Sequence, residues 1–192
     1  MSSLVLKIKK VYFYFFGKIH NYINASSYMK HYVKYLRQLG ICINGTPSYI
    51  SSDAYFDGHY YGGITIGDNV TISREVMFLV HDYSIVQGLK SIDAYNYTGG
   101  PTGTPHIMGT IKVGNNSFIG ARVSLLPGTT IGENCIIGAC SVVKGTVPDN
   151  SIVVGNPGKV VANTQVWAAN KLKDQAFVLT KKYYNTQLNA TK

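Results

Sequence analysis

The sequence predicts a mainly β solenoid with short, flat sides, and three observations carry that prediction. From Val113 onward the chain repeats every six residues: VGNNSF, IGARVS, LLPGTT, IGENCI, IGACSV and VKGTVP. The first position of each unit is aliphatic, taken in turn by Val113, Ile119, Leu125, Ile131, Ile137 and Val143. The fifth is small or compact: Ser117, Val123, Thr129, Cys135, Ser141 and Val147. A helical repeat needs roughly 30 or more residues per unit, whereas six suit a triangular coil with one hexapeptide per side and a turn at each corner. One aliphatic per side then points to the axis, and the compact fifth residue fits the tight corner.

Ahead of this run the pattern is looser. In ITIGDNVTISREVMFLV, Ile66, Ile72 and Phe78 restore the six-residue spacing. Between Tyr83 and Pro105 the repeat disappears into IVQGLKSIDAYNYTGGPTGT, and so long an interruption inside a regular solenoid is uncommon unless the loop has a task. The loop is polar and aromatic, with Asp93, Tyr95, Asn96 and Tyr97, and it leaves the solenoid directly after His81. The solenoid domain is placed at residues 41–162, with its loop at 83–105.

Residues 1–40 carry no repeat, and Gly17 is expected to divide them. LVLKIKKVYFYFF is apolar and aromatic but only 13 residues long, too short to span a bilayer. KIHNYINASSYMKHYVKYLRQLG reads as a helix ending at Gly40, with Ile19, Ile23, Met29, Val33, Leu36 and Leu39 as its apolar positions. Such a helix would cover the open end of the solenoid, where strand edges are otherwise unpaired. The alternative is a place on the inner face of a membrane, lysines toward anionic lipid. Packing of VYFYFF against the first coil is the expectation. Residues 163–192 read as a C-terminal helix with a basic exposed side and apolar positions at Val166, Trp167, Ala169, Leu172, Phe177, Val178 and Leu179.

With 192 residues, 45% hydrophobic and 14% charged, the chain has enough apolar material for one domain with a continuous core. Its three cysteines (Cys42, Cys135, Cys140) lack metal-ligand spacing, and their odd number fits a reducing, cytoplasmic compartment better than a disulfide framework. No secretory leader is expected, because no small-residue cleavage site follows an unbroken apolar run. The net charge of +9 belongs to the ends: residues 1–52 hold seven cations and no acid, and residues 159–192 hold six lysines against Asp174. That asymmetry suggests an anionic partner, a membrane surface or a phosphorylated ligand. No nucleic-acid-binding motif accompanies it, so nucleic acid is not expected.

ITIGDNVTI, LVHDYS, the protruding loop, IGARVSLLPGTTIGENCIIGACSVVKGTVPDNSIVVGNPGKVV and their order resemble the hexapeptide-repeat acetyltransferases. The likeness is to the branch with galactoside and maltose acetyltransferases and the O-acetyltransferases of bacterial surface polysaccharides. It covers about residues 41–162, and GNPGKVV after the repeats is specific to this group. The resemblance implies a left-handed parallel β-helix, an exception to the usual right-handed crossover. It also implies a homotrimer and transfer of an acetyl group from acetyl-coenzyme A to a hydroxyl or an amine. His81 matches the catalytic histidine of the group. Ala121 and Ala139, beside Gly120 and Gly138, match positions whose amides meet the pantetheine arm of coenzyme A, and Lys159 matches a basic position near its phosphates. Lys144 stands where members have threonine followed by lysine, and here the order is Lys-Gly.

The residues suit that chemistry. A sugar hydroxyl attacks a thioester poorly unless a positioned base takes its proton, an effect worth about 10²–10⁴-fold. Histidine serves near neutral pH, and His81 stands at the root of a loop on a rigid scaffold. A base needs an orienting partner. Asp82 is adjacent, but neighbours on a strand point to opposite faces, so Asp57, one coil earlier, is the preferred orienter. Asp93 or a backbone carbonyl is the alternative. Asp82, Tyr83, Asp93, Tyr95, Asn96 and His106 are the candidate acceptor contacts, with His59 as a further lining residue. A zinc site from His59, His81 and His106 is disfavoured by separations of more than twenty residues, and no metal is expected. The expected function is O-acetylation of a saccharide, free or carried on a nucleotide or lipid, for a surface polysaccharide. An N-acetyltransferase of an amino-sugar nucleotide and a non-catalytic scaffold are the alternatives.

Overall fold

The computed structural model describes residues 3–94, 103–175 and 177. Two helices, α1 (Ser3–Ile23) and α2 (Ala25–Leu39), precede the solenoid. The first coil carries β1 (Cys42–Ile43), β2 (Tyr49–Ile50) and β3 (Tyr55–Phe56), and the second carries β4 (Ile64–Ile66), β5 (Thr71–Ile72) and β6 (Met77–Phe78). The loop follows, with β7 (His81–Asp82), α3 (Ile85–Ser91) and β8 (Ile107–Met108). The third coil holds β9 (Ile111–Val113), β10 (Phe118–Ile119) and β11 (Ser124–Leu125); the fourth holds β12 (Thr130–Ile131), β13 (Ile136–Ile137) and β14 (Val142–Val143). There follow β15 (Thr146–Val147), β16 (Ser151–Val154), β17 (Lys159–Asn163) and α4 (Thr164–Lys173).

Each full coil gives one strand to each of three sheets. The first is ordered β1-β4-β9-β12-β15, the second β2-β5-β10-β13-β16 and the third β3-β6-β11-β14, with every one of these pairs parallel. β17 closes the second sheet antiparallel to β16. This is a parallel β-helix of triangular section. All six first-position aliphatics and all six fifth-position residues of the perfect run are buried. Ile50, Ile72, Ile119, Ile137 and Val153 stack in one column, so coil joins coil through aliphatic contact inside and amide hydrogen bonds around the rim.

The corners are also sequence-determined. Asn69, Asn116, Asn134 and Asn150 stack at the corner after the first sheet, with φ of 53°, 56°, 54° and 57°. Asparagine tolerates this left-handed region better than most residues. Its amides add a ladder of bonds between coils, at 3.0, 3.3 and 3.2 Å. The six-residue period slips once, against expectation. Val147 pairs in register with Ile131, so it is an axial aliphatic and not a corner residue. Gly145, at φ 84°, makes the shorter turn that permits this.

The N-terminal section departs from the sequence reading in two ways. Gly17 does not divide it: α1 runs through Gly17, and the break falls at Asn24, whose side chain accepts the Ser27 N–H at 2.9 Å and caps α2. Gly17 instead permits close approach, since a Cβ there would lie 2.7 Å from Ser52 Cβ in the first coil. The second departure concerns burial. α2 packs on the first coil through Tyr28, Tyr32, Val33, Tyr35 and Leu36, with Tyr28 Oη donating to Ile50 O at 2.7 Å. α1 buries only one narrow side, Phe13 and Gly17 with Leu6 partly covered, so Phe13 alone of VYFYFF packs inward. Ile19 and Ile23 are exposed, because α1 and α2 are separate helices with separate faces. His20 is partly covered and bonded to Tyr12 and Ser27, while His31 is exposed.

Within the loop, α3 forms over Ile85–Ser91, where the missing period gave no sign of a helix. At the other end, Asn163 caps α4, accepting from Gln165 N and Val166 N at 2.9 and 3.1 Å, and no residue of α4 is buried. Val178 and Leu179 lie outside the described residues.

Candidate active site

The corner after the third sheet gathers the titratable residues. Asp57 follows β3, and its N–H donates to Phe78 O of the next coil at 3.1 Å. Two residues beyond Leu79, whose own N–H donates to Leu125 O of the third coil, the chain leaves the solenoid at His81. There β7 pairs antiparallel with β8, His81 opposite Met108 and Asp82 opposite Ile107. One coil thus makes neighbours of Asp57 and His81, which are 24 residues apart in sequence.

Asp57 is 2% exposed. Its carboxylate accepts the backbone N–H of His59 at 3.1 Å and of Val80 at 3.2 Å, and it bonds His81 Nδ1. Burial alone would raise its pKa, but the His59 N–H and the His81 ring outweigh burial and hold the carboxyl below the usual carboxylate range. An ionised Asp57 places the ring proton on Nδ1 and leaves Nε2 as an open acceptor. The His81 side chain is 21% exposed, so that acceptor can be reached.

Around this pair stand three more rings. His59 stacks on His81 with centroids 4.2 Å apart, and Tyr83 Oη meets His59 Nε2 at 3.1 Å. His106, brought across by β8, sits edge-on to His81 at 6.2 Å and lies 5.0 Å from Tyr83. The three histidines therefore do converge, although long sequence separations argued against it; one coil of a solenoid cancels about twenty residues. Ligand atoms of Asp57, His59 and His81 lie within 4.8 Å of one another. The Asp57 oxygens and His59 Nε2 already have partners, so an ion would have to displace those bonds.

Asp82 points elsewhere, accepting the Ser84 N–H at 2.7 Å at the start of α3. That bond lowers its carboxyl below the usual range, and the charge of Lys144 adds to the effect. Lys144 follows β14 and so belongs to the same corner as His81. Asp93 is exposed after α3, at φ 54°, and is not part of the cluster. Tyr95 and Asn96 lie outside the described residues. Gly120–Ala121 and Gly138–Ala139 stack at the other edge of the third sheet, with Cys140 N donating to Ala121 O at 2.9 Å. Gly120 is required by that stacking, since a Cβ there would lie 2.7 Å from Ala139 N. Lys159 opens β17 and is exposed. Within one chain the candidate residues are thus divided between two edges of one sheet.

Residues 110–145 match the family model for the bacterial transferase hexapeptide (six repeats). A Staphylococcus aureus (strain MRSA252) protein provisionally named an acetyltransferase is 39% identical over 127 residues, 60% of this chain and 63% of the relative. The galactoside O-acetyltransferase of Escherichia coli (strain K12) is 35% identical over 99 residues, 51% of this chain and 43% of that one. The matches span less than two thirds of these relatives' own length. A solved galactoside acetyltransferase in complex with coenzyme A superposes with a TM-score of 0.50 at 24% identity, covering 83% of this chain and 82% of that one. The hexapeptide fold of this chain is accordingly the left-handed parallel β-helix.

Hexapeptide periodicity locates the inward columns but not the ring cluster. The stacking of His59 on His81 was missed because it depends on how far the chain travels per coil. The available signal was the recurrence of Asp57-Gly-His59 one irregular coil before Val80-His81-Asp82.

Proposed function

We propose that the protein transfers an acetyl group from acetyl-coenzyme A to a saccharide hydroxyl, with His81 as general base and Asp57 as its positioning residue. The observation that carries this reading is the buried, ionised Asp57 on Nδ1 of a partly exposed His81 at the root of the loop. His81 Nε2 takes the proton of the attacking hydroxyl as the new ester bond forms, and returns it to the sulfur of the departing coenzyme A. Asp57 stabilises the imidazolium between these two transfers. Tyr83, His59 and His106 form an aromatic, hydrogen-bonding wall suited to a sugar. A surface polysaccharide is the proposed destination, in line with the galactoside O-acetyltransferase relative.

The edge of the third sheet fits a narrow acyl carrier. Ala121 and Ala139 have no side chain beyond Cβ, Ala139 is exposed, and Lys144 and Lys159 are exposed cations suited to phosphates. Ala121, Ala139 and Lys159 stand an edge away from His81, with Lys144 at the His81 edge, so we place the complete site between neighbouring copies in a homotrimer. The outward apolar positions Tyr55, Met77 and Phe118 are available for that contact. The reaction is placed in the cytoplasm, peripheral to the membrane.

The test is a mass-spectrometric screen of sugars, nucleotide sugars and lipid-linked sugars with acetyl-coenzyme A, reading a gain of one acetyl group. The positive acceptor is then repeated with His81→Ala, which should retain its melting temperature and lose about 10²–10⁴-fold in rate. Near wild-type turnover by this variant would remove His81 from the mechanism. Acetylation of an amine in place of a hydroxyl would make the protein an N-acetyltransferase.

A further inference from the structure

Helix α1 presents a second apolar face that the solenoid does not use. Its inward side is Leu6, Phe13 and Gly17. On the opposite side Leu4, Ile8, Val11, Phe15, Ile19 and Tyr22 recur at spacings of three and four, which puts them on one continuous stripe. Each is more than half exposed, from Val11 at 55% to Tyr22 at 92%. Lys7 and Lys10 are exposed on the same helix, and Lys18 pairs with Asp53 of the first coil at 3.1 Å.

We infer that this stripe seats α1 in the interface of an anionic phospholipid bilayer. Charge selects this occupant over a second copy of the chain. Residues 1–52 contain no acid, so two α1 helices laid stripe to stripe would bring lysines together with no carboxylate between them. An anionic lipid surface supplies the missing charge and takes up the apolar stripe at once. The tyrosines and phenylalanines along α1 suit the boundary between headgroups and acyl chains. The helix lies on the bilayer and does not cross it: α1 has 21 residues, but four are lysines and no described helix is long and apolar enough to span. This attachment is independent of the acetyl-transfer reading and would hold for an inactive protein.

The experiment sediments the full chain with vesicles of phosphatidylcholine alone or with about 30% phosphatidylglycerol, at roughly physiological salt. The protein should pellet with the anionic vesicles and not with the neutral ones. Ile8→Glu/Phe15→Glu should abolish pelleting while the melting temperature and the mass in solution stay unchanged. Lys7→Gln, which changes only an exposed side chain beside the stripe, should weaken it roughly fivefold. Failure of the wild-type chain to pellet with anionic vesicles overturns the inference. So does a fall in solution mass caused by Ile8→Glu/Phe15→Glu without any vesicle binding, which would make the stripe a contact between copies. Equal binding to neutral vesicles would remove the role of charge.

Discussion

Asp57→Asn separates charge from shape at the point where the proposed mechanism is most exposed to test. The amide has the size of the carboxylate, so the corner keeps its packing, but it cannot accept from three donors. In the native protein the donors are His59 N–H, Val80 N–H and His81 Nδ1–H. His59 N–H uses one carboxylate oxygen, while Val80 N–H and His81 Nδ1 share the other. With the amide oxygen on His59 N–H, the NH₂ faces His81, which can satisfy it only if Nδ1 becomes the acceptor, and Val80 N–H loses its partner. The ring proton then moves to Nε2, and the base is lost without any atom leaving its place. A loss of about 10²–10⁴-fold in kcat follows, about 2.7–5.4 kcal/mol of barrier. Stability should fall by about 1–3 kcal/mol, because a buried hydrogen-bonding position is left imperfectly satisfied. Two assays check this: turnover on the acceptor found by the screen, and ¹⁵N shifts of the His81 ring, which need no acceptor. The pH dependence gives a third. Asp57 ionises more readily folded than unfolded, so its stabilising contribution is complete above about pH 4 and is lost as pH falls through the folded value. The variant lacks that titration and should lose less stability than the wild type below about pH 4. Unchanged kcat together with an unmoved tautomer would refute the assignment of Asp57.

Two further outcomes follow from packing. Gly17→Val should lower stability by about 1–3 kcal/mol, read as a melting temperature, because its side chain meets Ser52 Cβ where even a bare Cβ would stand 2.7 Å away; an unchanged melting temperature would mean that α1 does not rest on the first coil. A thiol reagent applied to the native protein should modify Cys42 and Cys140 and spare Cys135, which is buried between coils with its thiol pushed up by that burial; peptide mapping that finds Cys135 labelled as fast as the others would contradict this core.

How much of this was legible depends on what each residue has to satisfy. Inward positions answer to one neighbour type repeated at every coil, so Val113, Ile119, Leu125, Ile131, Ile137 and Val143 could be read from period alone, and all are buried. Val147 was misread because a corner can shorten, and a Gly145 turn shifts the register by less than one unit. Asp57 was reachable by counting one coil back from His81. The stacking of His59 and the approach of Lys144 to Asp82 were not, because each depends on the lateral placement of a corner that carries no period. Residues 18–39 misled for a related reason: apolar spacing continues across Asn24, yet the capping bond at Asn24 ends one helix and starts another.

The outward face of α1 marks where this kind of reading stops and a different one begins. An amphipathic helix beside a solenoid is ordinarily expected to spend its apolar side on the solenoid, and that expectation placed VYFYFF inside. The helix instead has two apolar sides, and the smaller is sufficient for docking because Gly17 lets the backbones approach and Phe13 fills the space beside Tyr32 and Tyr35, at ring distances of 4.8 and 5.1 Å. Close approach at a glycine concentrates the contact into few residues, which is what leaves the remaining stripe unspent. Sequence pattern alone reports the total apolar content of a helix, not its division between two partners. That division follows from backbone distance, and only the three-dimensional structure supplies it.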